Sequence, residues 1–306
     1  MTLRTLSCLA LLLAFSACGP SVTMTRIKAS TYPVEGIKTI ALAPDSDYSF
    51  FSSARNPGPV LAELESSLRY SNFFELCPTV DSMKRGTFCP RTQQPADGVI
   101  LLRLEELRVQ TNKTYTKRTK EIDTPQGKKK VEEKVPEFSK EGSIRVKLKL
   151  FRGPTNQLLA ERPYYSSFTT SAERWPDSDD SVANKLVQNV VKQMMSDLVP
   201  HPENFNVSLD VKDDAVKPGV DLAKSGSWDA ARGQWDGVLQ KNPQNHAAWY
   251  LIGVYFEYKG NVDQARHFYE KAFLISQEKL YRQALDRINS HSQDKQKFEQ
   301  DMKGRN

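Results

Sequence analysis

The chain has 306 residues, room for about two domains of ordinary size. With Lys+Arg 43 against Asp+Glu 37, its formal net charge of +6 is too dilute for a dedicated nucleic-acid binder. A hydrophobic share of 39 % excludes wholesale disorder, ordinary glycine and proline usage excludes collagen-like and low-complexity chains, and four cysteines with four histidines leave little for elaborate metal chemistry.

From Leu6 to Phe15 the chain is almost wholly apolar. That run is too short for a bilayer core, which takes about 20 helical residues, but it suits the apolar region of a signal peptide. The following Phe15-Ser16-Ala17-Cys18 resembles the lipobox of bacterial lipoproteins, with Phe15 in place of the usual leucine. The resemblance implies a signal peptide over 1–17, lipidation of Cys18 and a chain tethered to a membrane from there on. Ordinary secretory cleavage after an A-x-A-like site is the competing expectation. Gly19, rather than aspartate, after the cysteine implies the outer membrane over the inner one. With Cys8 removed and Cys18 acylated, Cys77 and Cys89 remain as an isolated pair in an oxidising compartment, which predicts a disulfide. Closing a loop of that length contributes roughly 3 kcal/mol in the chain-entropy model. A metal site would need two further ligands with no histidine nearby, so neither metal nor cofactor is expected.

Residues 18–29 form a tether and a first strand, since Val22 to Ile27 alternates with period two. Residues 30–202 then follow an α/β pattern: strands over Ile37–Pro44 and Phe73–Cys77, and between them a helical stripe of Val60, Leu61, Leu64 and Leu68 opened by Pro57 and Pro59. Asp97–Leu104 is an apolar, central strand, and Ile144–Leu150 alternates strictly, with Arg145, Lys147 and Lys149 on the polar side. A turn at Gly153–Asn156 leads into a strand over 158–169. A last helix carries Ala183, Val187, Val190, Val191, Met194 and Leu198 and stops at Pro200. The pieces "IKTIALAP", "LAELESSLRYSNFFEL", "ADGVILLRLEEL" and the closing "DLVP" resemble the curli-export-channel lipoproteins and the lipoprotein activators of peptidoglycan synthases. That resemblance implies an α/β (α+β) sandwich used for assembly, with no active site. The Cys77–Cys89 loop departs from the pattern.

Residues 110–145 predict a long solvated hairpin with its tip near Pro125-Gln126-Gly127. It carries Lys113, Lys117, Arg118, Lys120, Lys128, Lys129, Lys130 and Lys134, interleaved with acids. A membrane strand would alternate apolar residues toward lipid, and this stretch has almost none, which argues against a channel. An electrostatic contact with an anionic envelope surface is the functional expectation.

In the last third, Trp249-x2-Ile252-Gly253-x2-Phe256, followed by Gly260, Ala265, Tyr269 and Ala272, matches the tetratricopeptide pattern. Subtracting 34 recovers Gly219, Gly226, Ala231, Trp235 and Val238. The resemblance implies a small all-α repeat domain over 203–290: repeats at about 212–245 and 246–279, a capping helix over 280–290 and a fraying polar tail over 291–306. So few repeats must lean on something, and docking against the sandwich is expected. In such repeats the first helices line a partner groove, which points to Tyr250, Val254, Glu257 and Tyr258, with Val220 and Lys224 from the weaker copy. His267 is a helix-surface residue, and Glu105-Glu106, as neighbours on a strand, face opposite ways. No nucleophile, Walker or dinucleotide motif is present, so no enzyme is expected. The expected function is a protein-binding scaffold for a periplasmic or outer-membrane machine of pilus, secretion or motility type. Its partners would be other envelope proteins, bound through the repeat groove and the sandwich, with no nucleic acid. The alternatives are activation of cell-wall synthesis and, behind it, a role in an export channel.

Overall fold

A computed structural model describes residues 19–45, 56–77, 88–89, 94–125, 127–172, 177–303 and 305. The expected signal peptide and Cys18 lie outside the described residues. The chain divides into two compact units, one made of residues up to Ile27 with Pro202–Asp294, the other of Lys28–His201 with Lys295–Asn306. Strand β1 (Ser21–Lys28) falls almost wholly in the first of these.

The second unit is built on a five-stranded mixed sheet. β2 (Thr39–Pro44) leads through α1 (Gly58–Ser71) to β3 (Glu75–Leu76), which pairs parallel to it. Pro57 and Pro59 open α1 where missing N–H groups cost nothing, and Asn72 closes it in the left-handed region at φ 52°. Two short strands, β4 (Phe88–Cys89) and β5 (Gln94–Pro95), pair with each other. Next come β6 (Gly98–Thr124), β7 (Gly127–Arg152) and β8 (Gln157–Ala172), which complete the order β3-β2-β6-β7-β8. The Asp97 carboxylate locks the parallel β2–β6 pair, accepting from Lys38 N at 3.0 Å and from Thr39 N and Oγ1 at 2.9 Å. α2 (Asp179–Leu198) follows, with Ser178 capping Ser181 N and two aspartates in its first turn.

Strand alternation puts Ile40, Leu42, Ile100, Leu102, Leu104, Ile144, Val146, Leu148 and Leu150 on one face, where they meet Val60, Leu64 and Leu68 of α1 and the Val182-to-Leu198 stripe of α2. The result is a two-layer α+β arrangement with an aliphatic core. Gly142 lets α2 approach, since a Cβ there would lie 2.9 Å from Leu186. Within this core the buried Tyr32 and Tyr164 share a 2.7 Å hydroxyl contact, and Tyr164 donates to Asp197, which Arg162 also holds.

The first unit joins β1 to a strand the sequence reading placed within the repeat domain, β9 (His201–Ser208). Side chains Thr23–Asn206, Thr25–Asn204 and Arg26–Glu203 pair in opposite order, as antiparallel strands require. Five helices follow: α3 (Lys217–Lys224), α4 (Trp228–Lys241), α5 (His246–Tyr258), α6 (Val262–Ile275) and α7 (Lys279–Met302). α3 packs on α4, and α5 on α6, by the same device. A Cβ on Gly219 would lie 2.3 Å from the Trp235 ring, and a Cβ on Gly253 would lie 2.5 Å from the Tyr269 ring. Met24, Val207 and Leu209 from the two strands join this helical core.

Residues 291–306, expected to fray, do not: α7 runs on to Met302. His291 and Asp301 are buried. In the second unit Ser30 donates to Asp301 at 2.5 Å, and Arg305 lies over the Phe73 ring while donating to Phe73 O and Ile37 O.

Candidate functional site

The six positions expected to line a partner groove separate into two groups. Tyr250, Val254, Glu257 and Val220 are buried. Tyr250 donates to Ser208 O of β9 at 2.6 Å and stacks on Tyr281 of α7 at 4.9 Å. The Glu257 side chain, 2 % exposed, accepts from Tyr269 Oη at 2.5 Å and takes a bidentate pair from Arg287 Nε and Nη2, both at 2.8 Å. The chain's own β9 and α7 thus cover Tyr250 and Glu257, and Val220 and Val254 lie in the same helical core.

Electrostatics follow from that burial. Desolvation works against the Arg287 charge, but the hydrogen bond to Glu257 together with the neighbouring Tyr269, Glu257 and Tyr250 outweighs it and holds its pKa above the usual value. Burial raises the Tyr269 phenol well above its ordinary range. His291, with Nδ1 at 3.2 Å from Glu257, is pushed down to about 4 by burial, against the pull of the glutamate, so it is neutral at neutral pH. A second network has Tyr281 donating to Asp210 at 2.5 Å with His246 Nδ1 at 2.6 Å from the same hydroxyl. Sequence reasoning missed both networks. Their one local signal is the run of tyrosines at helix-core positions, whose hydroxyls need partners when buried.

Tyr258 and Lys224 remain exposed. With Ser21, Val22, Thr23, Ala223, Gly226 and Trp228 they line a groove of about 360 Å³. Tyr258 stacks on Trp228 at 4.2 Å and is 46 % exposed.

The expected hairpin is a two-stranded ribbon. β8 pairs with β7 only up to Phe138; from there to the tip the described residues supply no third strand. The projecting part, Thr114–Thr124 with Gly127–Glu137, spans roughly 35 Å at strand rise. Lys113 sits over Tyr115 and Phe138 at its base. Its rungs set Arg118 opposite Glu133, Glu121 opposite Lys130 and Asp123 opposite Lys128, and Lys117 reaches Glu132 at 3.0 Å. Lys120 faces Val131, Lys129 faces Ile122 and Lys134 faces Lys117. Both faces mix signs, so the eight basic residues form no segregated positive patch. Cross-strand pairing is the simplest use of most of the charges.

A register shift between Leu104 and Glu106 corrects the expectation that Glu105 and Glu106 point apart. Glu106 accepts from Ser143 at 2.8 Å, while Glu105 lines a shallow 660 Å³ depression on the sheet's open face with Arg145, Lys147, Glu161 and Tyr165. Lys147 and Glu161 are ion-paired there, and Asp45 sits between Arg103 at 3.2 Å and Lys149 at 3.1 Å.

Cys77 and Cys89 are disulfide-bonded with Cα atoms 4.8 Å apart, buried with Ala41 and Ala96. The loop between them, 78–87, lies outside the described residues. Among the described residues no group of three His, Cys, Asp or Glu could hold a metal ion, and no helix is long and apolar enough to cross a membrane.

No family model matches the chain, and neither does any curated protein. Similar solved structures include the PelC dodecamer from Paraburkholderia phytofirmans, 16 % identical over 59 % of this chain and 99 % of that one, with a TM-score of 0.29. A minor lipoprotein from Acinetobacter baumannii is 9 % identical over 54 % of this chain and 96 % of its own, with a TM-score of 0.25. A protein from Xanthomonas campestris is 11 % identical over 56 % and 89 %, with a TM-score of 0.24. Likeness of this degree assigns neither a family nor a function.

Proposed function

We propose that this chain is a lipid-anchored envelope protein, held at Cys18 and facing the periplasm from the outer membrane. It acts as a non-enzymatic scaffold for a protein assembly of pilus, secretion or motility type. The first unit is a tetratricopeptide-type array: its helix pairs repeat the glycine-on-aromatic contact at a spacing of 34 residues, Gly219 on Trp235 and Gly253 on Tyr269. β9 and α7 complete that array in place of further repeats.

The observation that carries the scaffold reading is the ribbon from Thr114 to Glu137. It spends a sizeable stretch of chain on a solvated arm without a core, stabilised by its own rungs, with backbone edges to which the described residues add no strand. A protected fold leaves such edges uncovered only at a cost in aggregation, and charged side chains limit that cost. An arm of this kind serves docking by strand addition or by its mixed-charge faces.

A photocrosslinker placed at Tyr115 or Ile122 in the native membrane tests it. The expected result is one recurring envelope protein, lost when residues 114–137 are replaced by a tight turn. Repeated recovery of no protein from either position would sink the scaffold reading.

A further inference from the structure

We infer that the groove bounded by β1, Lys224, Trp228 and Tyr258 rests on the headgroup layer of the membrane that holds the anchor. This rests on the acylated-Cys18 reading proposed above and adds to it the surface that meets the lipid.

Pro20 O accepts from Leu209 N at 2.7 Å, so the backbone is fixed into the β1–β9 ribbon from Pro20 onward. One residue, Gly19, separates it from Cys18, and consecutive Cα atoms lie 3.8 Å apart, so the acylated residue stays within about 8 Å of Pro20. An anchor on so short a lead cannot leave the first unit free to turn any face toward the bilayer. The face it presents is the one beside the start of β1. Ser21, Val22 and Thr23 form one wall of the 360 Å³ groove there, and Lys224, Trp228 and Tyr258 line the rest.

The chemistry of that wall fits a headgroup layer. Tyr258, 46 % exposed and stacked on the core residue Trp228, offers an apolar ring with a polar edge, the combination that places tyrosine at membrane interfaces. Lys224 adds an exposed cation for anionic headgroups. Asp229, the adjoining carboxylate, accepts from Tyr255 at 2.8 Å and pairs with Lys259 at 3.1 Å, so its charge is compensated within the protein.

The test uses the full lipidated chain in vesicles of phosphatidylethanolamine and phosphatidylglycerol containing a diazirine-bearing phospholipid, with labelled peptides mapped by mass spectrometry. Label is expected on the peptides holding residues 21–23, 224–228 and 258 above that on the other peptides of the first unit. Lys224→Gln should lower the groove label about fivefold, equivalent to roughly 1 kcal/mol for one surface cation. Tyr258→Ser, a change at an exposed side chain, should lower it as well. If the protein floats with vesicles but the label lands elsewhere, the contact is overturned and the anchor stands. If the Cys18 peptide carries no acyl mass and the protein does not float, both are overturned. A protein crosslinked in the groove in place of lipid assigns it to a protein occupant and overturns the lipid contact.

Discussion

The two units solve the burial problem differently. The sheet unit buries mostly isoleucine, leucine and valine against two helices, with a buried tyrosine pair, Tyr32–Tyr164, held by Asp197. The helical unit buries Trp235, Tyr250, Tyr269 and Tyr281. Their polar atoms drag Glu257, Arg287, His291 and Asp210 inside with them. An aliphatic core tolerates any neighbour of the right volume. An aromatic one with phenolic hydroxyls demands specific partners, and here α7 brings two of them, Arg287 and His291. The polar helix that ends the chain is therefore part of the core of one unit, not an accessory to it.

Arg287→Ala should break this contrast most sharply. It leaves the Glu257 charge buried and unpaired, a loss of about 3–5 kcal/mol. Amide exchange should accelerate across α5 and α6 while β6 and β7 keep their protection; equal loss in both units would contradict the separation. Acid gives the next effect. The folded His291 pKa of about 4 lies below the unfolded value of 6.5. The unfolded chain therefore binds the proton first, and stability falls as pH drops from 6.5 to 4. Of the roughly 3 kcal/mol such a shift carries, solvent screening leaves about 2. Denaturant midpoints of the helical unit should track this window and flatten in His291→Gln. The smallest change is Tyr32→Phe in the sheet unit, which removes one hydroxyl from the buried pair while Tyr164 keeps its bond to Asp197, and costs about 1 kcal/mol. A cost as large as that of Arg287→Ala would show that the sheet core depends equally on its polar pair.

What could be read from the residues alone follows from how local each signal is. The alternation of Ile144–Leu150 and the Gly253–Tyr269 spacing each lie within one or two elements, and the structure shows the strand and the packed helix pair those signals imply. β9 went unread because its partner lies across the chain, with Thr23 meeting Asn206. Glu257 looked like a groove residue because a glutamate is rarely buried without a partner, and its partner Arg287 sits on another helix. The shift at Glu105 left no trace in the pattern of neighbouring apolar residues. In the candidate site, Tyr258 and Lys224 are exposed, while Tyr250, Val254, Glu257 and Val220 are buried, four of six positions whose burial depends on elements distant in sequence.

The way the ends of the chain are used sets the order in which it can fold. The helical unit needs β1 from near the start together with residues up to Asp294, and the sheet unit is closed by Asp301 and Arg305 from the far end. Domains usually form in sequence as the chain emerges, N-terminal first. Neither unit here is a continuous stretch, so the helical unit reaches its final contacts only once residues up to Asp294 have been made, and the sheet unit only with Asp301 and Arg305.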